Sequence, residues 1–339
     1  MKFTLTATFA ATAMALATPV VSETLTMSSW VPPTHFLYAD ILKPWADQVA
    51  TVTEGRVNVM ILPAALGSPP QHWELARTGV ADITWGNFTY EPERFVSMWF
   101  AEFPNMGTNA TAQSVALWRA YETHLQDVAA YDGVKMLGVG MFGRGQMHHG
   151  TTTITSPDQV SGQKFRMGGP IQEQILTSLG AVPVAAPATK AYEMLDSGVI
   201  DGSLHTMESI VNFRLDESLT HHTIFPSGFY DATFFIAMNG AKWDALSQAD
   251  KDAIGSISGE ALSSAWGKQF DIQNAAAFDR LGAAGHHIVD ASAELIGAVD
   301  AIDDTMVASW IEAAKADGVA DPAALLQDIQ SSYTELAAK

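Results

Sequence analysis

Short apolar runs alternate with segments of helical period along this chain, and the alternation starts twice. Residues 23–27 (ETLTM), 56–62 (RVNVMIL) and 80–85 (VADITW) read as strands. Between them, residues 33–52 place Phe36, Leu37, Ile41, Trp45 and Val49 on one helical face, and residues 70–78 form a short helix stopped at Gly79. This β-α-β-α-β order favours a mainly parallel sheet with helices on its faces. After a helix at 113–129 and a long apolar strand at 134–142, the pattern begins again. Strands at 146–152, 164–167, 181–185 and 200–205 interleave with helices at 172–179 and 190–196. A strand at 231–238 (DATFFIAM) fits a late return to the first block. Residues 247–284 read as one long helix, and further helices follow to the C-terminus. At 339 residues the chain exceeds one ordinary core. The expected fold is therefore α/β and bilobal, two α/β lobes joined by crossing strands and a long helix. Residues 23–144 with 233–270 make the expected first lobe, and 145–232 with 271–339 the second.

Composition narrows what such a fold could do. The formal net charge of −19 disfavours nucleic acid and anionic lipid surfaces, which both need a basic face. An anionic ligand would need a local positive group, so each arginine near a cleft is informative. The chain has no cysteine, which removes disulfides, thiolate nucleophiles, cysteine-based metal sites and a lipid-anchoring cysteine. Residues 1–22 read as a secretory signal peptide. Lys2 precedes an apolar run to Val21, and Val20 and Ser22 meet the small-residue rule at a cleavage site before Glu23. An uncleaved membrane anchor is the alternative for that segment. No later segment is long and apolar enough to span a bilayer, so no membrane insertion is expected after cleavage.

In open α/β sheets, ligands bind beyond the carboxyl ends of the strands. That singles out residues 28–35, 85–90, 143–149, 167–169 and 205–208. Arg166 stands in GQKFRMGG at a strand end. Its planar fork matches a carboxylate, or it is a surface arginine in a turn. Arg144, in FGRGQMHHG, is either a second carboxylate ligand or part of a hinge turn whose glycines permit the bend. Trp30, His35, Trp85, Phe88, Tyr90, Phe229 and Tyr230 crowd these loops, as pocket wall or as core. The doublets His148–His149, His221–His222 and His286–His287 raise the question of a metal. Neighbours in a strand face opposite ways, so a doublet gives at most one ligand, and no zinc spacing is present. No metal or cofactor is expected. GxSxG, P-loop and Rossmann fingerprints are also missing, which leaves an enzyme without positive support.

Three stretches carry a family resemblance. They are LGSPPQHWELARTGVADITWG at 66–86, the region 160–217 with VSGQKFRMGG, LGAVPV and AYEMLDSGVIDG, and AMNGAKWDAL at 237–246. In that order the chain resembles the DctP-type solute-binding proteins of TRAP transporters. The resemblance implies a periplasmic receptor that closes around a small organic acid. It would deliver the acid to a membrane permease of one small and one large subunit, driven by an ion gradient. It also implies that Arg166 makes the paired contact with a substrate carboxylate. Arg144 falls near a second arginine of some members, and Asn87 where others place a polar contact, in the turn that Trp85 and Gly86 line. This chain departs from the common DGQENP, reading Asp201-Gly202-Ser203-Leu204-His205-Thr206, and it has Ala188 and Lys190 where many members carry an aromatic residue and a glutamate. His205 among several aromatic residues points toward a bulkier or aromatic acid. The expected site is thus Arg166 as clamp, Arg144, Asn87 and His205 as polar contacts, and Trp30, Trp85 and Tyr230 as packing. Trp266, on the long helix through which some relatives pair, is either an interface residue or core. The rival readings are a secreted α/β enzyme acting on a small acid and a ligand-sensing subunit of a signalling receptor.

Overall fold

The computed structural model describes residues 22–338, so the expected signal peptide lies, apart from Ser22, outside the described residues. Among these, the strands are β1 (Glu23–Ser28), β2 (Val57–Ile61), β3 (Ile83–Asn87), β4 (Val134–Met141), β5 (Gln146–His149), β6 (Lys164–Met167), β7 (Val182–Ala185), β8 (Gly202–His205), β9 (His221–Ile224), β10 (Thr233–Asn239) and β11 (His287–Asp290). They form two sheets, ordered β2-β1-β3-β10-β4 and β11-β9-β5-β8-β6-β7.

The first sheet is parallel where the β-α-β-α-β reading placed it, since β1 pairs in parallel with both β2 and β3. Late in sequence, β10 returns to insert antiparallel between β3 and β4. Among the described residues the chain crosses between the sheets three times: just after β4, just before β10, and between β10 and β11. The first two crossings are tied to each other: Gly145 N–H donates to the Tyr230 carbonyl and Phe229 N–H to the Gly145 carbonyl, both at 2.9 Å. A helix at Glu260–Ala283 packs on the helix Ala110–Ala120 and β4, and also on the helix Met207–Asn212 beyond β8. It therefore touches elements of both sheets. The helix Pro322–Ala337, in the segment assigned from sequence to the second lobe, packs on Ala110–Ala120.

Some elements differ from the sequence reading. The single helix expected at 247–284 is two, Gln248–Ser256 and Glu260–Ala283. Gly259 breaks it with a φ of +62°, and its N–H donates to Leu137 in β4 rather than continuing the helix. Strands β9 and β11 were not expected, because His-rich segments such as HHTI lack the apolar alternation that marks a strand. Their partners lie far away in sequence, with β9 pairing to β5 and β11 to β9. Trp266 is core. It is 1% exposed and sits between Phe234 and Phe270 at ring distances of 5.1 and 5.5 Å.

Two helix glycines predict opposite responses to one substitution. A Cβ at Gly267 would lie 2.2 Å from the Ala110 carbonyl oxygen, where two helix backbones meet. Gly267→Ala is expected to destabilise by about 1–3 kcal/mol, the usual cost of overpacking against backbone. Gly255, near the end of its helix, has no neighbour within 4 Å of such a Cβ. Gly255→Ala is expected to stabilise by about 0.5–1 kcal/mol through helix propensity. Urea unfolding midpoints of the two variants check both signs.

Candidate functional site

A cleft of about 520 Å³ of atom-free space, open mouth included, lies between the two sheets. Trp30 and His35 from the loop after β1, Asn87 at the end of β3, and Phe142, Phe234 and Phe270 wall it on one side. Arg166 of β6, Gln172, His205 at the end of β8, Glu208 and Phe213 wall the other, with Tyr230 from the second crossing between them. The cleft thus opens beyond the carboxyl ends of β1, β3, β6 and β8, where the topology of an open sheet favours a ligand.

Arg166 is the chemical centre of this cleft. It is 4% exposed, its Nε donates to the Ala186 carbonyl at 2.8 Å, and its Nη1 donates to the Leu204 carbonyl at 3.1 Å. Both acceptors are neutral, and among the described ion pairs none involves Arg166. A buried guanidinium held in place by carbonyls and facing a cleft has the chemistry to receive an external anion. The nearby titratable groups do not supply that anion cheaply. Burial pushes the Glu208 carboxyl up, although Thr206, Ser209 and Asn212 donate to it. Burial also raises the carboxyls of Glu102 and Asp231 well above the usual range. His205 is driven well below its ordinary value by burial, then by the charge of Arg166 and by His148, so it stands neutral beside the arginine.

Of the seven residues expected from sequence, Arg166, His205, Asn87, Trp30 and Tyr230 line the cleft. Asn87 Oδ1 is already occupied, accepting from Thr89 N–H at 2.9 Å and from the Thr89 hydroxyl, which leaves its Nδ2 donors. Two expectations need correction. Trp85 is fully buried behind Trp30, with ring centroids 4.2 Å apart and its Nε1 donating to Ser29 Oγ, so it supports the wall without lining it. Arg144 is exposed at the first crossing, donates to the Pro226 carbonyl at 3.2 Å, and borders a different cavity with Asp271 and Asp290. It belongs to the hinge turn that the flanking glycines form. Sequence reasoning missed Phe142, Phe213, Phe234, Phe270 and Gln172. Phe142 and Phe234 lay within expected strands, but nothing local distinguishes a core ring from a cleft ring. Phe213 meets His35 across the lobes, and Phe270 reaches the cleft from the long helix by packing on Phe36, Phe142 and Phe234.

The histidine doublets meet in space. His148 lies opposite His222 in the β5–β9 register and His149 opposite His221, while His287 lies opposite His221 across β9 and β11. On one face, His148 Nε2 is 3.0 Å from the His205 carbonyl, His148 Nδ1 is 2.7 Å from His222 Nδ1, and His222 Nε2 is 2.8 Å from His286 Nδ1. A carbonyl can only accept, so His148 carries its hydrogen on Nε2, and its Nδ1 must accept from His222. His222 Nε2 then accepts from His286. Three neutral rings are thereby ordered in one direction, from the half-buried His286 toward the cleft. The one-ligand-per-doublet argument is correct for each strand, but it overlooks that adjacent strands align the doublets. Among the described residues, no group of three or more His, Asp or Glu side chains is arranged to hold a metal ion.

Residues 27–312 match the family described as bacterial extracellular solute-binding protein, family 7, or DctP. The fold is similar to a TRAP periplasmic solute-binding protein of Bordetella bronchiseptica with (R)- and (S)-mandelate bound. That protein is 35% identical with a TM-score of 0.89, over 92% of this chain and 99% of that one. It is also similar to a marine-metagenome TRAP solute-binding protein specific for aromatic acids, in complex with 3-hydroxybenzoate, at 30% identity and a TM-score of 0.86, over 93% and 99% of the two chains. A TRAP solute-binding protein of Rhodoferax ferrireducens holding copurified benzoate is 27% identical with a TM-score of 0.86, over 94% and 99%.

Proposed function

Because this chain belongs to family 7 of the bacterial extracellular solute-binding proteins, the DctP family, we propose that it captures an aromatic carboxylate between its lobes for a TRAP transporter. The observation that carries this reading is the buried Arg166, held by two carbonyls and without an ion-pair partner among the described residues, in a cleft walled by aromatic rings. A ligand carboxylate supplies the missing anion, and the rings of Trp30, Phe142, Phe213, Phe234, Phe270 and Tyr230 suit a flat apolar body. The similar structures that hold mandelate, 3-hydroxybenzoate and benzoate support the same ligand class. His205 stays neutral here, so it adds a hydrogen bond without a second charge. Asn87 contributes its amide donors.

Lobe closure would exclude water from the cleft and strengthen the arginine–carboxylate contact. In this reading residues 1–22 direct export to the periplasm, the lobes divide as 23–144 with 233–270 and 145–232 with 271–339, the last helix of the second reaching back onto Ala110–Ala120 of the first, and the closed receptor docks on the small and large membrane subunits. No described helix is long and apolar enough to cross a membrane.

A thermal-shift screen of residues 23–339 tests the ligand class. Ligand at a hundred times its dissociation constant adds about 2.7 kcal/mol of stability. A raised melting point with benzoate, mandelate or 3-hydroxybenzoate, and none with succinate or glucose, is the expected pattern. A shift with succinate or glucose alone would overturn it.

A further inference from the structure

Arg166 accounts for one polar end of a ligand, but the cleft has a second set of unpaired donors on its other wall. Trp30 Nε1 and His35 Nε2 are both buried and without a hydrogen-bond partner among the described residues. An indole nitrogen can only donate. The polarity of His35 is also determined. Its Nδ1 accepts the Leu37 N–H at 3.2 Å, and burial lowers its pKa to about 4, so the ring is neutral with its hydrogen on Nε2. Trp30 and His35, which carry these two buried N–H groups, both line the cleft, and no acceptor among the described residues receives either group. They come from the lobe of β1, whereas Arg166 comes from the lobe of β6. Their packing holds them in place: Trp30 stacks on Trp85, and His35 lies between Phe36 and Phe213 at 4.9 and 5.5 Å. A ligand whose only polar group is a carboxylate pairs with Arg166 and leaves these donors buried and unsatisfied, which is costly.

We infer that the preferred ligand is an oxygenated aromatic acid, whose hydroxyl or oxo oxygen accepts from His35 and Trp30 while its carboxylate pairs with Arg166. This rests on the aromatic-carboxylate reading above and goes further, because it makes the loop after β1 the element that reads the second oxygen. Such a ligand ties the two lobes through its two polar ends. An acid without the second oxygen is tied to the lobe of β6 alone.

The test is calorimetric titration of residues 23–339 with ligand pairs that differ by one oxygen: mandelate against phenylacetate, and 3-hydroxybenzoate against benzoate. At least one oxygenated acid is expected to bind about tenfold or more tightly than its partner, the penalty for an unsatisfied buried donor. His35→Phe keeps a ring against Phe213 and should bring that ratio close to one by weakening the oxygenated acid. His35→Gln, which retains a donor, should recover part of it. Trp30→Phe keeps the stack on Trp85 and gives an independent reading if His35→Phe does not fold. Equal affinity within both pairs would overturn the inference and leave the aromatic-acid reading standing. A preference that survives both His35→Phe and Trp30→Phe would also overturn it. Binding of no aromatic acid at all would sink the underlying reading as well.

Discussion

Arg166→Met is expected to lose about 2–5 kcal/mol of carboxylate binding, roughly thirty-fold to several thousand-fold, because truncating one partner of a buried charge pair strands the other. The ligand-free protein should barely notice the change. In wild type Arg166 is 4% exposed and its guanidinium donates to the carbonyls of Ala186 and Leu204. Replacing it with an apolar side chain removes a buried charge that lacks an ion partner. That gain offsets the two lost hydrogen bonds, so unfolding stability is expected to move by no more than about 1 kcal/mol. The combination separates a ligand contact from a structural one. Titration with the best aromatic acid and urea unfolding, each on wild type and variant, read the two quantities. Undiminished affinity would remove Arg166 from the site, and a large loss of stability would make it a structural residue.

Acidification acts on a different set of residues. Burial lowers His148 to a pKa of about 4 and His222 to about 2, with the neighbouring histidines adding to the fall at His222. Both folded values lie below the ordinary 6.5 of the unfolded chain. Above that value both states are neutral and the groups do not affect stability. As pH falls below it the unfolded chain takes up protons that the folded one refuses, so stability is lost toward the folded pKa. For one such histidine the loss at about pH 5 is about 2 kcal/mol. Glu102, Glu208 and Asp231 act in the opposite sense, since their raised carboxyls hold protons in the folded state that the unfolded chain releases. The clean observable is therefore a difference. Between about pH 7.5 and about pH 5, His222→Gln should lose about 2 kcal/mol less than wild type does, because glutamine does not titrate. Urea unfolding at the two pH values measures it. Equal losses in the two proteins would mean that His222 is protonated in the fold.

The fold was legible wherever periodicity was local. Strands β1, β2 and β6, the return of β10, and the helix at 43–52 each follow from a pattern spanning a few residues. The sequence reading failed where a partner far along the chain decides the structure. His221–Ile224 becomes a strand because β5 and β11 flank it, and Gly259 ends a helix because β4 offers a carbonyl. The site divides in the same way. Arg166, His205 and Asn87 stand at or next to the carboxyl ends of β6, β8 and β3, where a strand-end argument can find them. Trp85 and Trp30 are the same residue type near two strand ends, yet only one ring reaches the cleft, because stacking places the other beneath it. Arg144 misled for a related reason: an arginine between glycines after a strand describes a hinge as well as it describes a clamp.

The tie between the first two crossings has a mechanical meaning. Tyr230, whose carbonyl closes that tie, also lines the cleft, and its ring lies 5.6 Å from that of Phe142 on the other crossing. Points on the axle of a lever move least when its arms swing. Under the proposed lobe closure, the floor formed by Phe142 and Tyr230 would stay much the same surface, while Arg166 on one arm and Trp30 and His35 on the other would travel farther. An aromatic ring can dock on that floor in the open receptor. In the proposed receptor the polar ends of the ligand would be gripped afterwards, as the jaws meet, so the flat body of the ligand would govern capture and its oxygens how long it is held.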